Sequence, residues 1–145
     1  RVLPGADPRA LAPLVHLEGA APPRWLRRLG VLGGDTSALR LTKAEARDLS
    51  RLRDAVGDIT PPAALGYHLG ADLGADAALA RAAMLESPLP ADWQADVMRG
   101  AHARFPVRAA DLPGLEGAAL GQRLKALESR WIASDFTATR DDLLG

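Results

Sequence analysis

Residues 41–57 read LTKAEARDLSRLRDAVG, and their pattern decides the fold class. Thr42 and Glu45 have the spacing of a capping box, in which hydroxyl and carboxylate each satisfy a backbone N–H that the first helical turn leaves open. Leu49, Leu52 and Val56 recur at three- and four-residue intervals, the stripe of an amphipathic helix. Gly57 is a natural stop, because the residue after a helix commonly turns left-handed. Cap, stripe and stop all give one answer: a helix with one buried face.

The flanking sequence has the same character. Asp7-Pro8 is an N-cap followed by proline at the first helical position. It predicts a short helix to about Leu17, disturbed by Pro13, before Ala21-Pro22-Pro23 breaks the chain. A second helix is expected to turn Trp25, Leu26, Leu29 and Leu32 inward, with Arg24, Arg27 and Arg28 outside, and to end at Gly33-Gly34. Thr60-Pro61 opens another, through Leu65 and Tyr67 to Leu69-Gly70. The next runs from about Asp72 to Glu86 with Leu79, Ala82, Ala83 and Leu85 apolar. After the rigid Ser87-Pro88-Leu89-Pro90 connector, Pro90-Ala91-Asp92 opens a helix holding Trp93 and Val97. Arg104 to Val107 reads as extended, and 109–113 as a single turn. A long helix from about Ala118 to Ala133 carries Leu120, Leu124, Leu127, Trp131 and Ile132 inward, and Thr139 with Asp142 caps a last short turn.

Composition agrees. The chain has 145 residues and is 48% hydrophobic but only 4% aromatic, so its core must be mostly Ala and Leu. Helix formers are abundant and β-branched residues sparse. The expected architecture is all-α, a compact bundle of about seven helices joined by short loops. A helical body over 1–103 is followed by a tail over 104–145, the two reading as one continuous unit. There is no fixed-period repeat and no low-complexity segment.

Charge and cysteine content narrow the function classes. Lys plus Arg is 18 and Asp plus Glu is 18, so nucleic-acid binding requires a local patch. Lys43 and Lys125 are the only lysines. Arginine presents a planar fork suited to phosphate, although coding bias also produces an Ala/Arg-rich chain. The absence of cysteine excludes disulfides and thiolate metal sites and fits a reducing cytoplasm. No apolar run approaches the ~20 residues of a membrane span. The chain begins at Arg1 without Met, as a piece of a longer protein would.

No catalytic constellation stands out. His16, His68 and His102 are far apart, without a partner at metal-ligand spacing. Ser50, Ser87 and Ser134 lie in no nucleophile elbow. Asp141-Asp142 reads as a cap. There is no P-loop and no dinucleotide-binding glycine motif. Residues 112–120, LPGLEGAAL, invite a helix-hairpin-helix reading, but Glu116 stands where that motif needs its second glycine, and a carboxylate repels phosphate. A helix-turn-helix beginning at Leu41 would need a recognition helix from Thr60, and Pro61-Pro62 with its apolar sequel suits base reading poorly. What remains is basic: Arg99, Arg104 and Arg108 bracket RFPV, and Arg123 and Lys125 follow. They read either as a solvated face, offset by Asp96 and Glu116, or as a phosphate site.

Phe105-Pro106-Val107, Asp111-Leu112, Gly117-Ala118-Ala119-Leu120-Gly121, Leu127-Glu128, Trp131-Ile132 and Asp135-Phe136 occur in an order that resembles the C-terminal end of the bacterial CCA-adding tRNA nucleotidyltransferase / poly(A) polymerase family. Further back, LRLTKAEARDLSRL (39–52) and LGYHLG (65–70) look like that family's body helices, and RVLPGAD (1–7) like the close of its neck. Two departures touch the turn: Ala118 stands where the family often has proline, and the Asp-Leu to Gly spacing is shortened.

The resemblance implies a tRNA-holding body and tail. The nucleotidyltransferase head, which would use CTP, ATP and Mg²⁺ to add C, C and A to tRNA 3′ ends, lies N-terminal to everything here. On this reading the chain carries no catalytic residue, metal ligand or cofactor of its own. Its partners are tRNA and the head and neck of the same parent. The helix start at Gly121 would supply amides to the acceptor-TΨC region, and Arg104, Arg108, Arg123 and Lys125 would supply charge, reading RNA shape rather than sequence. The alternatives are a helical protein-interaction or dimerisation module without RNA contact, expected to expose an apolar patch, and a small DNA-binding protein.

Overall fold

The computed structural model describes residues 6–18, 24–32, 41–56 and 60–145, without the side chains of Leu29 and Val56. The Ala21–Pro23 break, the Gly33-Gly34 and Gly57 stops, most of the neck-like opening, and the inward placement of Leu29 and Val56 fall outside the described residues. Among those described there is no strand. Eight α-helices follow in order: α1 (Leu11–Glu18), α2 (Trp25–Leu32), α3 (Lys43–Val56), α4 (Pro62–Leu69), α5 (Ala71–Leu85), α6 (Trp93–His102), α7 (Gly117–Ala133) and α8 (Arg140–Leu144). Single 3-10 turns, Pro8–Ala10 and Ala109–Asp111, precede α1 and α7. The chain is all-α, divided into a unit over Arg1–Ala101 and another over His102–Gly145.

Local chemistry sets the helix ends. Asp7 accepts the Arg9 N–H at 3.0 Å and starts the turn that becomes α1. At α3 the capping box closes: the Thr42 N–H donates to Glu45 Oε1 at 2.9 Å and the Glu45 N–H to Thr42 Oγ1 at 3.1 Å. Gly70 separates α4 from α5 with φ +88°, a conformation L side chains rarely adopt. The second capping box closes at α8 between Thr139 and Asp142.

In the first unit α5 is the central element, packed against α1, α2, α3 and α4. Its buried residues, among them Leu73, Ala77, Ala78, Leu79, Ala80, Ala82 and Ala83, lie on every side of the helix. A helix apolar all round belongs inside a core, and alanine lets several neighbours approach at once. Leu14, Leu26, Val31, Leu49, Leu52 and Leu65 close around it. Helices α4 and α6 meet backbone to backbone. A Cβ on Gly66 would stand 1.9 Å from the Val97 carbonyl oxygen, and one on Gly100 would stand 1.7 Å from that of Ala63.

Helix α2 is rolled differently from the pattern expected of it. Its inward side carries Leu26, Val31 and Arg27, the last only 3% exposed, while Trp25 is 53% exposed. The cause is electrostatic. Two buried carboxylates of other helices hold Arg27, and that fixes the roll of the helix and turns the indole of Trp25 outward. Leu85, at the last position of α5, is likewise exposed rather than buried.

The second unit is organised by Trp131 of α7. Its ring meets Phe105 at 5.5 Å and Phe136 edge-on at 4.8 Å. Val107, Leu127 and Leu143 complete a small core. The turn after α7 holds Asp135 and Phe136 at φ 59° and 64°, which folds the Phe136 ring back onto Trp131. Phe105, Val107, Leu127, Trp131 and Phe136, which carry much of the family resemblance, are therefore core-forming residues.

Candidate nucleic-acid interface

The residues proposed to meet nucleic acid lie in the second unit. Arg104 and Arg108 flank the extended RFPV stretch and are exposed; Phe105 and Val107, facing the core, set its register. The Arg108 backbone N–H donates to Asp111 Oδ2 at 2.8 Å. Asp111 Oδ1 accepts from Arg140 Nη2 at 2.6 Å. The Arg140 hydrogen bond, with that of the Arg108 N–H, brings the Asp111 carboxyl down to about 2. Asp111 is thus bound to Arg140, and the nearby Arg108 charge adds a smaller pull on the same carboxylate.

Helix α7 begins at Gly117, with φ +58°, one turn earlier than a start at Gly121 requires. Gly121 is exposed but sits at the fifth helical position, where the N–H is used inside the helix. The open amides belong to Gly117, Ala118 and Ala119, since the Leu120 N–H already reaches the Glu116 carbonyl at 3.5 Å. Arg123 and Lys125 are both exposed. Two positions apart on a helix, they point about 200° from one another, so they flank α7 rather than share one side of it. Lys125 shares its side with Gly121. Arg99 belongs to the first unit, where it pairs with Asp96 at 3.2 Å.

Among the described residues Arg104, Arg108, Arg123 and Lys125 are in no ion pair. No group of three or more His, Asp or Glu side chains among the described residues is arranged to hold a metal ion. No described helix is long and apolar enough to cross a membrane.

The first unit contains a charged cluster that sequence reasoning missed. Arg27 Nη1 donates to Glu18 Oε2 at 2.6 Å and Arg27 Nε to Asp76 Oδ1 at 2.9 Å. Arg24 Nε donates to both oxygens of Asp76 at 2.9 and 2.8 Å, and Arg28 Nη2 to Glu18 Oε1 at 2.9 Å. Burial is the largest influence on both carboxyls and acts upward. At Glu18 the hydrogen bonds from Arg28 and Arg27 outweigh it and the carboxyl lies below its ordinary value; at Asp76 burial prevails. One signal was present in the sequence: Asp76 stands inside the apolar run from Leu73 to Ala80 of α5 and needs a partner there, because a buried charge without one is costly.

No protein-family model matches the chain, and neither a curated protein nor a solved structure matches it.

Proposed function

We propose that this chain is the tRNA-holding C-terminal region of a tRNA nucleotidyltransferase of the CCA-adding / poly(A) polymerase kind, acting in the cytoplasm beside a catalytic head that it does not itself contain. The observation that carries the proposal is the state of the four cations. Arg104, Arg108, Arg123 and Lys125 are exposed and outside every ion pair among the described residues, while the neighbouring Asp111 is bound to Arg140. In a chain of zero net charge, exposed cations outside every ion pair on one braced unit are the chemistry that attracts phosphate. The aromatic cluster around Trp131 supports the reading by fixing the RFPV stretch against α7. The ordered motifs carry the assignment from nucleic acid in general to tRNA. The head would supply the reaction, with Mg²⁺, CTP and ATP; this chain would position the acceptor-TΨC arm by shape.

Hydroxyl-radical footprinting of tRNA on this chain tests the proposal. Protection is expected along the acceptor stem and TΨC arm. Protection confined to the anticodon arm, or none at low salt, contradicts it and favours the protein-interaction reading.

A further inference from the structure

A cleft of about 420 Å³ opens in the first unit between α2, the first turns of α5, and α6. Its floor is apolar, formed by the fully buried Leu79 and Val97. Trp93 lines it half-buried and Met98 half-exposed, so an indole and a thioether border the same space. Gln94 adds an exposed amide, which both donates and accepts.

Arg24 lines the cleft with a guanidinium held in place. Its Nε donates to both carboxylate oxygens of the buried Asp76, and its Nη groups carry no hydrogen bond among the described residues. The cluster behind it joins three guanidiniums, Arg24, Arg27 and Arg28, to two carboxylates, Glu18 and Asp76. The cluster reaches water through Arg24 and Arg28, whose side chains are 39% and 38% exposed. Asp72, exposed among the lining residues, adds a carboxylate that disfavours a multiply charged ligand. The match is to a single negative charge beside a flat ring.

The geometry points to a binding site for one unpaired nucleotide within an RNA strand, its base against Trp93 and Met98 and its phosphodiester on the Nη groups of Arg24. A base stacks on an aromatic face whatever its identity, and a phosphodiester sets one negative charge on the Arg24 Nη groups, whereas a terminal phosphate carries more and meets the Asp72 carboxylate. The volume is within the range of small-ligand pockets, roughly 300–1,000 Å³. This inference rests on the RNA-holding function but concerns a different surface from the four tail cations.

The test uses the whole chain and a short single-stranded oligoadenylate, followed by tryptophan fluorescence, with AMP as the free-nucleotide arm. Two variants address the cleft without touching the buried cluster. Ala75→Leu fills it from α5 with a good helix former. Gln94→Glu places a carboxylate at an exposed position where folding is not at stake. Each is expected to weaken oligoadenylate binding by about tenfold, with AMP binding more weakly than the oligonucleotide to the unaltered chain. Unchanged oligoadenylate binding in both variants overturns the inference; so does AMP binding as tightly as the strand, which would make the ligand a free nucleotide. tRNA binding that depends on Arg123 and Lys125 while the cleft variants bind oligoadenylate normally sinks this site alone. Loss of all RNA binding in the unaltered chain sinks the site and the function together.

Discussion

Arg27 of α2 donates through Nε to Oδ1 of Asp76 on α5 at 2.9 Å, and both side chains are closed to water, 3% and 0% exposed. A guanidinium 49 residues from its carboxylate thus ties the second helix to the central one. Removing Arg27 takes the buried cation from both carboxylates and leaves them only the half-exposed Arg24 and Arg28; breaking a buried pair costs up to about 3–5 kcal/mol. Arg27→Ala is expected to lower stability by that much in urea denaturation. Arg24→Ala, which removes a half-exposed donor to the same carboxylate, is expected to cost much less. Equal effects would mean that Arg27 does not bear the central role in the cluster.

Trp131 and Trp25 are expected to differ. Trp131 is 3% exposed and holds both phenylalanines of its unit, so Trp131→Ala should cost about 3–5 kcal/mol. Trp25 is 53% exposed, and Trp25→Ala should stay within about 0.5 kcal/mol of the unaltered chain. Denaturation midpoints for the two variants check this; a large loss at Trp25 would contradict the outward roll of α2.

Gly100→Ala probes the backbone contact of α4 with α6. The new methyl would meet the Ala63 carbonyl oxygen at 1.7 Å, a backbone atom that cannot swing aside. Helix propensity alone favours alanine by ~1 kcal/mol, so overpacking must exceed that to show. Forced separation of packed elements typically costs about 1–3 kcal/mol, and net destabilisation is expected. A stabilised variant would show that the two helices are further apart.

Much of this fold was legible because its signals are local. Both capping boxes, Thr42 with Glu45 and Thr139 with Asp142, close as their three-residue spacing implies. Leu127 and Trp131 face inward as their four-residue interval requires. What could not be read is non-local. The sequence of α2 makes Trp25 the natural inward residue, and only Glu18 and Asp76 on other helices reverse that. The start of α7 was similarly obscured: glycines at 114, 117 and 121 all allow a turn, Gly114 and Gly117 both take positive φ, and the helix begins at Gly117. The tail cations were visible as residue types, and the opposed directions of Arg123 and Lys125 follow from their two-residue spacing within a helix the sequence already places there.

Asp111 links pH to the stability of the second unit. Its carboxyl falls from an ordinary 3.8 to about 2 because the folded chain supplies the Arg140 guanidinium and the Arg108 N–H. A carboxyl depressed on folding stabilises above its unfolded value and loses that contribution as pH falls through its folded value. Stability is therefore expected to decline between pH 3.8 and about 2, and Asp111→Asn should flatten that decline. A tail-unit probe such as Trp131 fluorescence, followed during acid unfolding of both proteins, measures it; identical profiles would show that Arg140 does not hold Asp111.

The most direct test of the RNA-holding role is the salt dependence of tRNA binding by this chain and by an Arg104, Arg108, Arg123 and Lys125 to alanine variant. Each phosphate neutralised contributes roughly 0.7–0.9 to the slope of log affinity against log salt. The exposed Arg9 and Arg47, in the other unit, serve as the control. The account predicts weak, salt-sensitive binding whose slope falls by about three to three and a half units in the fourfold variant and stays unchanged in the Arg9 and Arg47 control. An unchanged slope in the fourfold variant, with binding intact, would contradict it.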